Sequence, residues 1–340
     1  MKEMFENKTV VVTGGLGSIG SELVDQILIH NPKQVRIYDN RETEIFYARQ
    51  KYRNNNVRVI FGDIRDKKKL MRAIKGADII YHAAAMKHVP VCEIDPFEAV
   101  KTNVIGTQNV IECALENNIK KMILISTDKA VNPSNVMGAT KLLAEKLVSS
   151  VYNYKGGCET EFGIVRFGNV LASRGSVLEI WEQYIKKNLP ISITNPNMTR
   201  FFMTIPDAVR LIFEATRYAK TGETFILKMP SLRLNHLAEV FLEIKNMPNN
   251  FFNIVGLRKG EKMHEELVLL SDDSIIMENE NLFLIPPFIS NLTQDYNENQ
   301  EFERIKSLGF NQVRTTHFSS NCPNILDKNQ VKELISKVIR

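Results

Sequence analysis

Two neighbouring side chains, Asp128 and Lys129, offer this sequence its clearest route to acid–base chemistry. A carboxyl and an amine held together in a cleft can exchange proton roles once burial and mutual attraction set their pKa values. The pair follows the run KMILIST (121–127), which has the length and Ile-rich character of a buried strand. In a parallel sheet the C-terminal ends of the strands form the edge where ligands bind. An ion pair at such an edge also reads as ordinary surface structure, and position alone leaves both readings standing.

A second set of residues suits a dinucleotide. In TVVVTGGLGSIGSEL, Gly14, Gly17 and Gly20 stand in the spacing G-x-x-G-x-x-G, with Ser18 and Ile19 between the last two. The glycines follow a strand and open an amphipathic helix, the context that a phosphate-binding turn requires. The helix N-terminus there offers N–H groups and a partial positive charge to a pyrophosphate. Asp39 ends the second strand about 20 residues further on, where a carboxylate accepts hydrogen bonds from the adenosine ribose. That favours NAD, since a carboxylate repels the 2′-phosphate of NADP. Arg41 could pair with that phosphate, so NADP remains possible. Asp63 and Ile64 end the third strand and suit the adenine. Ala83, Ala84 and Ala85 supply small residues where the nicotinamide half must pass close to the backbone, and His82 reads as a packed histidine.

Positioning these groups requires a particular scaffold. Short, nearly continuous apolar runs recur at 9–13, 34–39, 58–63, 78–84, 121–127 and 162–169. Segments of helical period lie between them, with Leu23 and Ile27, Val110 and Ala114, and Leu143, Leu147 and Val151 repeating along one side. The alternation predicts an α/β fold, a doubly wound Rossmann-type parallel sheet. After about residue 170 the alternation loosens and Pro-containing stretches appear. The expected division is residues 1–170 as an NAD(P)-binding domain and 171–290 as mainly a smaller substrate-binding lobe with segments returning to the sheet. Residues 291–340 are expected to form a tail ending in a short helix, with Val331, Leu334, Ile335 and Val338 on its apolar side.

Composition narrows the field of functions. The net charge of +5 is spread along the chain, and no nucleic-acid-binding motif accompanies it. A modest positive excess suits an anionic small substrate. No stretch reaches the about 18 apolar residues of a membrane span, and the N-terminus lacks the apolar core of a signal peptide. The four cysteines have neither metal-site nor disulfide-scaffold spacing, which suits a reduced, cytoplasmic setting and no metal centre.

Seven motifs then occur in order: TGGLGSIG, HAAAMKHVP, KTNVIGTQNV, STDKAVNPSNVMGATK, RFGNVLASRGSV, MTRFFMTIPDAV and GLRKGEKMHEEL. Together they resemble the extended short-chain dehydrogenase/reductases of polysaccharide biosynthesis, specifically the UDP-N-acetylglucosamine 4,6-dehydratases. The resemblance runs from about residue 8 to about residue 287. It implies oxidation at sugar C4, loss of water across C5 and C6, and hydride return to C6, leaving a 4-keto-6-deoxy sugar. The superfamily usually carries a proton-handling Tyr four residues before a Lys. Here that Lys is Lys141 and the Tyr position holds Met137, a thioether that cannot carry a proton. Part of the family has Met there with the Asp–Lys pair retained, and this chain resembles that part.

The resemblance implies roles. Asp128 would serve as base at C4 and then as acid at the C6 hydroxyl. Lys129 would handle C5, and Thr127 would bond the C4 oxygen. Lys141 would bond the nicotinamide ribose, Lys87 would orient the sugar or assist at C5, and Asn103 would brace the backbone of the site. Asn169, Arg174, Arg200 and Arg258 would meet the diphosphate region, and Glu261 the uridine ribose. The expected partner is UDP-N-acetylglucosamine or a similar nucleotide-sugar, and relatives form homo-oligomers. Retention at C5 stands first. A C5-inverting dehydratase or a 4-epimerase is the alternative enzyme, and a catalytically silent dinucleotide-binding sensor is the alternative of another class.

Overall fold

The computed structural model describes residues 1–53, 55–269, 275–287, 298–313, 317–322 and 325–338. Its first half turns apolar runs into a parallel sheet. These are β1 (Thr9–Thr13), β2 (Gln34–Asp39), β3 (Val57–Phe61), β4 (Ile79–His82), β5 (Lys121–Thr127) and β6 (Glu161–Phe167), in the spatial order β3-β2-β1-β4-β5-β6. Every pairing among them is parallel. The runs seen in the sequence coincide with these strands to within a few residues at their ends.

Continuous hydrophobicity has a direct cause here. β1 is buried at every position, because its side chains feed a core on each face of the sheet. Val10 and Val12 join the core that holds Leu23, Val24 and Ile27 of the helix Ser18–Leu28 and Leu211 and Ile212 of the helix Ile205–Tyr218. Val11 points the other way. It joins Leu70 and Ile74 of the helix Lys67–Ile74, Val110 and Ala114 of Gly106–Glu116, and Val148 of Val136–Ser149. Helices therefore cover both faces, and all six strand ends point to one edge.

The second half contributes β7 (Asn169–Val170), β8 (Ile191–Ile193), β9 (Thr199–Met203), β10 (Thr221–Leu227), β11 (Ser231–Arg233), β12 (Phe252–Ile254), β13 (Glu266–Leu269), β14 (Ile276–Glu278), β15 (Leu282–Ile285), β16 (Asn311–Val313) and β17 (His317–Ser319). β10 extends the sheet in parallel beside β6, and β15, β14 and β16 follow antiparallel, giving ten strands among the described residues. The rest builds a lobe around Trp181, Leu237 and Phe241, with sheets β11-β9-β7 and β12-β8, while the pair β13-β17 packs Leu267, Val268 and Phe318 on the main core. Val331 and Ile335 of the terminal helix Lys328–Ser336 are buried in this lobe core, with Leu334 and Val338 packed against it.

The stretch expected to be a tail is more structured than its sequence suggests. The helix Glu298–Ser307 buries Ile305 in the main core, β16 caps the sheet and β17 pairs with β13. Three-residue strands and a helix with few apolar residues leave almost no periodicity to read. Residues 291–297, 314–316, 323–324 and 339–340 of that stretch lie outside the described residues.

Candidate active site

The turn after β1 is shaped by two close approaches. Gly14 has φ +66°, and a Cβ there would sit 2.6 Å from the backbone N of Ala84. A Cβ on Gly20 would sit 2.3 Å from the carbonyl O of Gly14, so the helix packs directly on the turn. Gly17 is the N-cap residue and no side chain caps that helix, which leaves its N-terminus to an anion. Ala83 N–H donates to Thr13 O at 3.0 Å, so Ala83 and Ala84 run beside the turn.

Asp39 closes the far side of this cradle. It is 5% exposed and accepts from Leu16 N–H at 3.0 Å. Arg41 folds back onto it, with Nε 3.1 Å from Oδ1, and also reaches Glu44 at 3.5 Å. The Arg41 guanidinium is thus held by two carboxylates. Asp63 is held by Arg65 and Asn40, and Ile64 is buried beneath the same edge. His82 is buried between Thr13 and Thr107, and burial followed by the Lys141 charge takes its pKa down to about 3. It is a neutral packing residue.

β5 delivers Asp128 and Lys129. After Thr127 the chain tightens into a single 3-10 turn, Asp128–Ala130, capped by the Thr127 hydroxyl. Asp128 is 0% exposed. Its Oδ1 accepts from Thr127 Oγ1 at 2.8 Å and from Lys129 Nζ at 2.9 Å. Its Oδ2 is buried with no partner, and so is the neighbouring Ser126 Oγ. A carboxylate oxygen in that condition costs free energy unless a ligand fulfils it. Lys129 Nζ also donates to Asn169 Oδ1 at 3.1 Å. Burial works against its charge, but the Asp128 and Glu265 carboxylates outweigh it, and the ammonium is held above the ordinary lysine range.

The helix Val136–Ser149 lies alongside. Lys141 is 5% exposed, donates to Ile125 O at 2.7 Å, and burial drops its pKa to about 8 against the pull of Glu145. Met137, one turn earlier, is 3% exposed and packs with Cys92 and Ala99. Asn103 sits in a π-helical turn, accepts from Met86 N–H at 2.8 Å, and donates to Met86 O and Thr140 Oγ1 at 3.0 Å each. It ties the loop after β4 to the helix that carries Lys141.

The remaining candidates divide. Arg174 does not join the Asp128 cluster. Its N–H donates to Ser18 Oγ at 2.8 Å and its guanidinium to Glu44 at 3.2 Å, so it lies over the glycine turn. Lys87 donates to the Arg174 carbonyl, and burial lowers its pKa, with Glu179 opposing and Arg174 reinforcing. Arg200 is buried, bound to the carbonyls of Thr199, Met263 and Lys262, and paired with Glu261 at 3.6 Å. Glu261 also accepts from the Arg258 N–H, while the Arg258 side chain is exposed. Arg200 and Glu261 are therefore together, and Arg258 stands at their rim.

One group went unnoticed in the sequence. Glu265, 4% exposed, lies 3.7 Å from both Lys129 Nζ and Arg200 Nε. Its only signal was a glutamate pair heading the run ELVL, where alternation turns one of the two inward.

The family model described as a polysaccharide biosynthesis protein matches residues 10–287. A Methanocaldococcus jannaschii protein, named only as an uncharacterized membrane protein, is 50% identical over 85% of this chain and 88% of its own. A Campylobacter jejuni protein named UDP-N-acetylglucosamine 4,6-dehydratase (inverting) is 40% identical over 86% of each chain. A Rickettsia rickettsii protein named UDP-glucose 4-epimerase is 39% identical over 78% of this chain and 79% of its own. Among solved structures, Pen from Bacillus thuringiensis superposes with a TM-score of 0.88 at 39% identity, covering 98% of each chain. DesIV of Streptomyces venezuelae, a dTDP-glucose 4,6-dehydratase solved with NAD, superposes at 0.69 and 21% identity over 75% of this chain and 86% of its own, a likeness of fold.

Proposed function

The chain belongs to the polysaccharide biosynthesis protein family, and from that premise we propose that it is an NAD-dependent UDP-N-acetylglucosamine 4,6-dehydratase. One observation carries the reading: Asp128 is fully buried at the ligand edge of the sheet, with one oxygen held by Lys129 and Thr127 and the other left without a partner. That unmet oxygen is where a sugar hydroxyl would bond. The Campylobacter relative bears this activity in its name.

Gly14, Gly17, Ser18, Ile19 and Gly20 would hold the pyrophosphate, and Asp39 the adenosine ribose. Asp63 and Ile64 would meet the adenine, and Ala83, Ala84 and Ala85 would border the nicotinamide half. The clasp of Asp39 and Glu44 on Arg41 supports NAD over NADP, because a 2′-phosphate would have to displace both. The chemistry NAD supplies when bound there is reversible hydride acceptance, out from sugar C4 and back to C6.

The chain's own residues handle protons. Asp128 Oδ2 takes the C4 hydroxyl proton as the ketone forms. The ketone acidifies C5, and Lys129, as the amine, removes that proton. Asp128 then gives its proton to the C6 hydroxyl, which leaves as water. A proton returned to C5 completes the 4-keto-6-deoxy product, so the net change is loss of one water. Thr127 bonds the C4 oxygen, Lys141 the nicotinamide ribose, and Asn103 keeps the two halves of the site in register. We assign Asn169, Arg200, Arg258 and Glu261 to the nucleotide side of the sugar. Lys87 is assigned to the sugar and Arg174 to the rim of the dinucleotide turn. Residues 1–170 thus carry the cofactor site and the proton-handling residues, and 171–290 chiefly the nucleotide side of the substrate. The sequence reading ranked C5 retention first. The Campylobacter relative is named for inversion, and we take inversion as the course here.

A cytoplasmic, homo-oligomeric enzyme fits this reading. All four cysteines are free thiols, and no helix among the described residues is long and apolar enough to cross a membrane. Val91, Ile94 and Phe97, on short helices beside the site, present apolar side chains outward.

Incubation with UDP-N-acetylglucosamine tests the function. The wild-type protein is expected to form a 4-keto-6-deoxy sugar with inverted C5, read by NMR, and Asp128→Asn is expected to form it at least about 10²-fold more slowly. A silent sensor would bind NAD and produce nothing. The Rickettsia relative's name supports the rival 4-epimerase, which would yield the C4 epimer with no loss of water.

A further inference from the structure

Lys129 meets a conflict in the scheme above. To take the C5 proton it must be a neutral amine, yet it stands between two carboxylates. Asp128 is 2.9 Å away and Glu265 is 3.7 Å away. Asp128 is accounted for by its own proton transfers. Glu265 also lies 3.7 Å from Arg200 Nε, which offsets its buried charge, and no proton transfer in the scheme uses it.

Its placement is firmly built. Glu265 N–H donates to Ser320 Oγ at 2.9 Å, and Ser320 N–H donates back to Glu265 O at 2.8 Å. Ser320 Oγ in turn donates to Thr199 O at 3.1 Å and lies 2.7 Å from Thr199 Oγ1. The next residue, Glu266, turns away to Lys262, His317 and Asn132. The strand period thus sends Glu265 inward and Glu266 outward.

The charged groups facing Lys129 come from three elements. They are Asp128 after β5, Glu265 just before β13, and the Arg200 guanidinium on β9, which opposes the ammonium. Asn169 on β7 adds a neutral acceptor. When Asp128 takes up a proton, its attraction for the ammonium ends. Lys129 then stands between one remaining carboxylate and one guanidinium, in a largely buried setting whose desolvation favours the amine.

We infer that Glu265 is a positioning residue that acts through Lys129: it anchors the ammonium in the resting site and sets the pH above which Lys129 serves as the C5 base. Lys129 is thereby kept from acting before Asp128 has been neutralised by the C4 proton, which orders oxidation ahead of elimination. This inference rests on the dehydratase reading for its chemistry, but the charge relation between Glu265 and Lys129 is testable without turnover.

The test uses the holoenzyme carrying lysine labelled with carbon-13 at Cε. The Lys129 signal, assigned by its loss in Lys129→Arg, is titrated in the wild type, Glu265→Gln and Glu265→Asp. The midpoint is expected to fall by about one unit in Glu265→Gln and to recover most of that in Glu265→Asp. In parallel, the rising limb of the pH profile of keto-sugar formation is expected to move to lower pH in Glu265→Gln by the same amount. Should Glu265→Gln fail to fold, Glu265→Ala gives the same reading. An unchanged Lys129 midpoint in the charge-removing variant overturns the inference. Absence of keto sugar from the wild type overturns the dehydratase reading, while the titration still decides the role of Glu265.

Discussion

Proton handling at a single residue separates an enzyme from a cofactor-holding fold here. Asp128 has the burial, the cationic partner and the unmet oxygen that a proton carrier needs. Replacing it by Asn keeps the shape and removes the ionisable group, and keto-sugar formation is expected to fall by at least about 10²-fold with NAD affinity retained. Equal turnover in the variant would remove Asp128 from the mechanism. Met137 makes the converse case. It packs with Cys92 and Ala99 as an apolar side chain, so Met137→Leu is expected to leave turnover nearly unchanged and to cost less than about 1.5 kcal/mol on chemical denaturation. A large loss of activity with the fold intact would show that the thioether does more than fill space. Lys141 carries a pH signature of its own. Its pKa is about 8 in the fold and 10.5 ordinarily, so between those values the unfolded chain binds a proton that the folded chain does not. Stability from this residue therefore rises with pH across that window, with a slope approaching about 1.4 kcal/mol per pH unit. Below pH 8 the burial penalty is present in full. Urea unfolding of the cofactor-free protein from pH 7.5 to 10.5 is expected to show that rise, and Lys141→Met to abolish it.

At the scale of elements, the first turn is the place where fold and function constrain each other most tightly. Gly14 lies against the Ala84 backbone at positive φ, so Gly14→Ala must shift one strand end against another. A cost of about 1–3 kcal/mol in stability, with loss of NAD binding by calorimetry, is expected. Unimpaired NAD binding would show that the turn does not form the cradle. This turn was legible in the sequence because glycine spacing is local, and so was the sheet, because strands buried on both faces read as unbroken apolar runs. Asp128 and Lys129 were legible because they end such a run. The contacts of Arg174 with Ser18 and Glu44 were not legible, since a loop arginine can fold back onto a distant turn without any trace in its own neighbours. Glu265 was missed because its partners, Lys129, Arg200 and Ser320, come from three distant segments. The helix Glu298–Ser307 was missed because it buries so few apolar residues that its period is faint.

The molecule as a whole joins a parallel sheet to later segments that supply buried polar side chains to the same edge. Arg200 on β9 and Glu265 before β13 reach Lys129 after β5, so neither half completes the site without the other. The outward-facing Ile94 and Phe97, 78% and 79% exposed, set an expectation for assembly. Light scattering should find the wild type as an oligomer and Ile94→Asp/Phe97→Asp as a monomer, and a monomeric wild type would refute that role for the patch. The central claim, that one site oxidises, dehydrates and reduces the same sugar, is tested most directly with UDP-N-acetylglucosamine carrying deuterium at C4. The expected product is a 4-keto-6-deoxy sugar with that deuterium on C6 and a solvent-derived hydrogen at C5. A keto sugar without label at C6, an epimer that has kept its oxygen, or no product at all would contradict it.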